Sequence, residues 1–152
     1  MPAPCSLCER SNDPEGSLGI LRTRWAVLSH MAGINLPGHL LLAPERHVED
    51  AGSLTGEEER EMAHLTSRAV QASLSRPGVR KVYLLSFGEG VPHLYLHLFP
   101  PTEAILQDPA SLTEGFPNGS AIFERRRQRL ALSVRPPEMV AAILRFREIL
   151  RR

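Results

Sequence analysis

Residues Val91 to Pro101 read VPHLYLHLFPP, a strict alternation of polar rings and leucines. Side chains at i, i+2 and i+4 of a strand share one face. A strand over His93 to Phe99 would therefore set His93, Tyr95 and His97 on one surface and turn Leu94, Leu96 and Leu98 toward a core. A polar outer face on a half-buried strand accounts for many such patterns. Two imidazoles and a phenol are nevertheless an unusual choice for plain solvation, and the functional reading is a shallow site floored by imidazoles.

The neighbouring segments supply a sheet for that strand. KVYLLSF (Lys81 to Phe87) is a second apolar run, and only GEGVP separates the two, so an antiparallel hairpin is expected. RWAVLS (Arg24 to Ser29) and GHLLLAP (Gly38 to Pro44) are short apolar runs bounded by turn residues, which suits strands, with Pro37-Gly38 marking a turn. The N-terminal CSLCERSNDPEGSLG and the later FPNGS (Phe116 to Ser120) read as loops.

Two helices stand out. Thr55 followed by Glu58 is the capping-box spacing, and Glu57 to Glu59 and Glu61 crowd the first turns where the helix dipole favours acids. Met62, Leu65, Ala69, Ala72 and Leu74 form a rough apolar stripe, ended at RPGV. Pro136-Pro137 open a last helix with Val140, Ile143, Leu144 and Leu150 on one side. Mostly antiparallel strands with two main helices make an α+β domain. At 152 residues, one domain over 1–152 is expected.

A formal charge of +1 gives no field arguing for nucleic acid or a membrane surface. No apolar run is long enough for a bilayer and no signal-peptide pattern opens the chain, so the expected location is the cytoplasm. In a reducing compartment Cys5 and Cys8, three residues apart, suggest metal or redox work before a disulfide. Their expected position in a loop, rather than opening a helix after a strand, weakens the redox reading. With His93 and a further histidine from His39 or His47, the two thiolates would complete a tetrahedral zinc set. A lone histidine is more often a structural hydrogen-bonder. His64 reads as exposed on its helix, His30 has no patterned partner, and Arg125, Arg126, Arg127 and Arg129 read as a solvated basic face with a minor chance of phosphate contact.

Taken together, CSLC, PGHLLLAPERHV (Pro37 to Val48), the acid-capped helix and HLYLHLFP (His93 to Pro100) resemble the histidine triad family. The resemblance includes its zinc-containing bacterial members and the branch related to galactose-1-phosphate uridylyltransferase. It spans roughly residues 5 to 100, and leaves 101–152 as an extension ending in a helix. It implies an antiparallel sheet of about five strands, a structural zinc on Cys5, Cys8, His47 and His93, and a homodimer formed by joining sheets and helices. The family motif is His-φ-His-φ-His-φ-φ with φ apolar. Its middle histidine attacks the α-phosphorus of a nucleotide, and imidazole suits this as a neutral nucleophile near pH 7 and a good leaving group.

Three positions depart from that pattern. The nucleophile position holds Tyr95, and a phenol, ordinarily near pKa 10, is little ionised at neutral pH. The phosphate-contacting Gln four residues before the first triad histidine is here Glu89, whose carboxylate would repel phosphate. The ribose-binding Asp or Asn eight residues before the Gly-His histidine is here Met31. His39 and His97 are retained. The resemblance therefore implies a zinc-stapled scaffold that binds a nucleotide or another phosphorylated ligand around Glu89, His39 and His97, with nucleotidyl hydrolase or transferase chemistry lost or modified. One competitor is an active enzyme in which either Tyr95 is the nucleophile or Glu89, His39 and His97 serve as acid-base groups in modified roles. Another is an interaction module with a vestigial pocket.

Overall fold

A computed structural model of the chain describes residues 5–11, 18–31, 34, 36–126 and 136–152. Its centre is a five-stranded antiparallel sheet of β1 (Gly19–Arg22), β2 (Ala26–His30), β3 (Leu40–Pro44), β4 (Tyr83–Leu85) and β5 (Leu96–Phe99), in the order β1-β2-β3-β5-β4. The α+β expectation therefore holds. β1 was not foreseen. It lies just past a stretch of turn residues, and its GILR is too short to carry a period, so pairing with β2 rather than local pattern makes it a strand.

The expected hairpin forms, with Tyr83 opposite Phe99 and Leu85 opposite His97, but both arms are shorter than expected. His93 and Tyr95 precede the hydrogen-bonded part of β5. Of the three leucines assigned to the core, Leu98 is fully buried and Leu96 packs against the core from a partly buried position, while Leu94 belongs to neither apolar cluster.

The described residues also form helices α1 (Ser6–Ser11), α2 (Gly56–Leu74), α3 (Glu103–Gln107), α4 (Gly119–Arg126) and α5 (Pro137–Leu150), short 3-10 turns at Ala51–Ser53 and Pro109–Ser111, and a small hairpin of β6 (Leu112–Thr113) and β7 (Phe116–Pro117). The capping box of α2 is present: the Thr55 side chain accepts from Glu58 N, and Glu58 returns a carboxylate to Thr55 N at 2.8 Å. Glu58 also receives a bidentate pair from Arg46 at 2.9 and 2.8 Å, tying the start of α2 to the exit of β3. Met62, Leu65, Ala69 and Ala72 meet Met139, Ile143, Phe146 and Leu150 of α5 over Ile20, Leu28, Leu40, Leu42 and Leu98 of the sheet.

Three expectations about the helices are corrected. Leu74, Val140 and Leu144 are 43%, 42% and 56% exposed and not part of the buried stripes. In α5 the buried face runs through Met139, Ala142, Ile143, Phe146 and Leu150, a 3–4 spacing that Val140 and Leu144 flank by a single residue. The CSLC motif is not a loop, because α1 begins at Ser6 directly after Cys5. FPNGS likewise divides between β7 and the start of α4. Arg125 and Arg126 are exposed on α4, whereas Arg127 and Arg129, with residues 12–17 of the N-terminal stretch, lie outside the described residues.

The face of the sheet away from α2 and α5 carries a second apolar cluster of Ile34, Leu36, Phe99, Ile105, Ile122 and Phe123. Residues 101–126 build much of it. His39, Leu41, His97 and Phe99 meet there, and the site described next lies beside it.

Candidate functional site

Strand register brings the two retained histidines together. Leu41 pairs with His97 and Leu40 with Leu98, so His39, one residue before β3, continues the ladder opposite Phe99 and diagonal to His97. The His39 ring meets Phe99 edge-on at 5.2 Å between centroids, and its Nε2 lies 3.0 Å from His97 Nδ1. Phe123 of α4 packs on both, at 5.9 Å from His39 and 5.0 Å from His97. His39 is fully buried and His97 6% exposed. Burial, then the neighbouring His97 and His30, hold His39 well below the ordinary imidazole value, so it is neutral at pH 7. A single proton then bridges the two rings. His39 Nδ1 is the one buried side-chain nitrogen or oxygen without a hydrogen-bond partner among the described residues. Of the imidazoles expected to floor a shallow site, His97 forms a buried pair with His39, packed by aromatic rings, and His97 alone of the two reaches a cavity.

One side of His97 opens on a cavity of about 330 Å³ that also meets Tyr95, Glu89, Met31, Leu41 and Phe123. Tyr95 touches His97 ring edge to ring face, with centroids 5.2 Å apart. All three departures named from the sequence, Tyr95, Glu89 and Met31, therefore border one space. His39 does not line it and stands behind it, in contact with His97.

His30, unassigned from sequence, has a defined place. Its Nε2 accepts from Gly38 N at 2.9 Å, and its Nδ1 lies 2.9 Å from the Met31 carbonyl. A carbonyl only accepts and an amide only donates, so the ring is the neutral Nδ1–H tautomer. It clasps both ends of the 31–38 segment that carries Met31 and Ile34 to the cavity. Gly38 has φ of +87°. Arg76 holds the same turn through Pro37 O at 2.7 Å. The only sequence signal for this role was the spacing of His30 from the Pro-Gly turn, which has no meaning until the strands pair.

The second constellation is at the other end of β5. Cys5 Sγ, Cys8 Sγ and one ring nitrogen each of His47 and His93 lie within 4.8 Å of one another. Cys5 is 3.4 Å from His93 Nδ1, and Cys8 is 3.3 Å from His47 Nδ1 and 3.5 Å from His93 Nδ1. A tetrahedral zinc with ordinary bond lengths sets sulfur and nitrogen donors about 3.6 Å apart, so the spacing fits such an ion. His93 Nε2 lies 3.1 Å from the Pro44 carbonyl and must carry the hydrogen, which leaves Nδ1 as a lone pair facing the thiols. Burial holds His93 below its ordinary value, which favours the neutral ligating form. Burial and the adjacent Cys5 push the Cys8 thiol up. Of the two candidate histidines His39 and His47, the fold thus brings His47 to the cysteines.

The whole architecture has close counterparts. A zinc-bound histidine triad family protein from Mycobacterium smegmatis superposes with a TM-score of 0.66 at 16% identity, covering 97% of this chain and 93% of that one. The fold is that of histidine triad proteins. A hypothetical histidine triad nucleotide-binding protein from Sulfolobus tokodaii matches over 92% of each chain, with a TM-score of 0.55 at 17% identity. The diadenosine triphosphate hydrolase of Plasmodium falciparum matches over 74% of this chain and 75% of its own, with a TM-score of 0.52 at 14% identity. No family model and no curated protein matches the sequence. At these identities the histidine triad fold is what is shared. Among the described residues no helix is long and apolar enough to cross a membrane.

Proposed function

We propose that this chain is a single-domain, cytoplasmic histidine triad protein that binds a nucleotide or related phosphorylated ligand. In this reading its ordinary nucleotidyl hydrolase or transferase chemistry is lost or modified. The observation that carries the reading is the cavity wall, where Tyr95 stands beside His97 while the His39–His97 pair behind it is intact. A space of this size suits a small ligand better than a purely structural role. The fold is shared with a nucleotide-binding protein and a dinucleotide hydrolase, which makes a nucleotide the natural first ligand.

In this reading His97 meets the ligand, and His39, neutral and buried, orients His97 through the shared proton. Phe123 keeps water from the pair. Tyr95 occupies the place of the attacking group. Cys5, Cys8, His47 and His93 hold a zinc ion, which supplies structural cross-linking with no part in bond making. A second copy would add at the exposed edge strand β4, beside half-exposed Leu84 and Phe87, to give a homodimer.

The test is turnover of a diadenosine polyphosphate and an adenosine phosphoramidate by the parent chain and by Tyr95→His. The expected result is AMP release by Tyr95→His alone, with the parent still binding AMP. Release by the parent would overturn the reading in favour of an active enzyme, and trapping a covalent adduct on Tyr95 would follow. Silence from both, without AMP binding, would exclude a nucleotide.

A further inference from the structure

Ser6 and Leu7 lie between the two thiols of the Cys-x-x-Cys pair, and both line the cavity. Nothing in the triad motif points to them. They reach the cavity because α1 is anchored at each end of its first turn, by Cys5 and Cys8 against His93 and His47. His93 is itself embedded in another part of the wall. Its backbone N–H donates to the carbonyl of Val91, a cavity residue, at 2.8 Å, and the next amide, Leu94 N, donates to Val48 O at 2.6 Å. Tyr95 follows two residues later. One donor cluster therefore joins three separate segments: α1, residues 89–95, and the exit of β3.

At six residues α1 is far too short to persist by itself, since isolated helices below about 12–15 residues are marginal in water. Thiol–imidazole contacts of 3.3–3.5 Å are weak hydrogen bonds. Coordination would replace them with bonds to one ion shared by all three segments.

We infer that Ser6 and Leu7 contact the ligand, and that a divalent metal on Cys5, Cys8, His47 and His93 is the latch that keeps them in the wall. Metal and ligand then bind this chain with positive coupling. The inference rests on the ligand-binding reading above and adds two contact residues and a control to it. Leu7 joins Met31, Ile34 and Leu41 as an apolar surface for a planar or aliphatic part of the ligand, and Ser6 offers a hydroxyl. Without the metal, only the fraction of molecules with α1 docked is competent, and apparent affinity falls by that fraction. Linkage requires the ligand to tighten metal binding by the same factor.

The experiment compares hydrogen exchange in zinc-loaded and chelator-treated protein, then AMP affinity in both forms. Amides of residues 6–9 and 91–95 are expected to exchange at least about tenfold faster without zinc, while those of α2 hold, in keeping with the usual coupling range of about five- to 150-fold. AMP affinity should fall within that range on zinc removal, and saturating AMP should raise zinc affinity equally. Leu7→Ala should weaken AMP and leave zinc affinity unchanged. If AMP binds neither form but the exchange contrast appears, the nucleotide reading fails and the latch stands. Equal exchange at residues 6–9 with and without zinc, or equal AMP affinity in the two forms, overturns the latch. If chelation also strips protection from α2, zinc is titrated into His47→Ala, which retains three ligands. A local contrast there supports the latch, and a uniform loss overturns it.

Discussion

His30 offers the sharpest test of the way this fold builds its pocket. The ring is fully buried and neutral, with Nδ1–H donated to Met31 O and Nε2 accepting from Gly38 N. Burial, opposed by the Met31 bond and aided by the Arg76 charge, lowers its pKa from 6.5 to about 4. An imidazole with a lowered folded value binds fewer protons folded than unfolded between those two pH values. Stability therefore falls as pH drops from 6.5 through 4, and the contribution is complete above the unfolded value. At about 1.4 kcal/mol per unit, the loss amounts to roughly 3 kcal/mol. Protonating Nε2 would also turn its bond with Gly38 N–H into a donor–donor clash. Urea unfolding of the parent and His30→Gln from pH 7.5 to 4 checks this. The parent should be more stable at pH 7 by about 2 kcal/mol, the scale of two buried hydrogen bonds, and the difference should move by roughly 3 kcal/mol by pH 4, so that the variant becomes the more stable by about 1 kcal/mol. Taking the difference cancels the similar response of His39 to first order. A gap that stays constant with pH, or an imidazole NMR titration of His30 near 6.5, would refute the buried neutral clasp.

Other changes test the packing around the site. Phe123→Ala removes the ring shared by His39 and His97 and should cost about 3–5 kcal/mol in denaturant unfolding, against under about 1 kcal/mol if α4 merely rests on the surface. Glu58→Gln addresses the carboxylate that Arg46, then Thr55 N, holds below its ordinary value. Because the folded value is depressed, the stabilisation is present above the unfolded carboxyl value and disappears as pH falls through the folded one. The gap in melting temperature between parent and Glu58→Gln should be wide at neutral pH and close in acid below about pH 4, and an unchanged gap there contradicts the pair.

Much of this protein is legible in the chain itself where the signal is local or repeats along one element. The α2 capping box follows from the spacing of Thr55 and Glu58, because cap and N3 residue belong to one turn. The β4–β5 hairpin follows from two apolar runs five residues apart. The cysteine–histidine set was readable as a chemical count, and the resemblance to histidine triad proteins supplied the choice of His47, which the fold brings beside Cys8. Alternation correctly placed Tyr95 and His97 side by side. Apart from the local loop readings of CSLC and FPNGS, what failed depended on neighbours far along the chain. The GILR of β1 has no pattern of its own, and β2 makes it a strand. Val140 and Leu144 have the same chemistry as Ile143, and only the direction from which the sheet approaches α5 decides which of them is buried. The clasp of His30 on Gly38, the cover of Phe123 over the histidines, and the reach of Ser6 and Leu7 into the cavity join residues separated by turns or by tens of positions. Sequence determines local hydrogen-bonding choices and the supply of chemical groups, while register and layer packing decide which groups share one enclosed space.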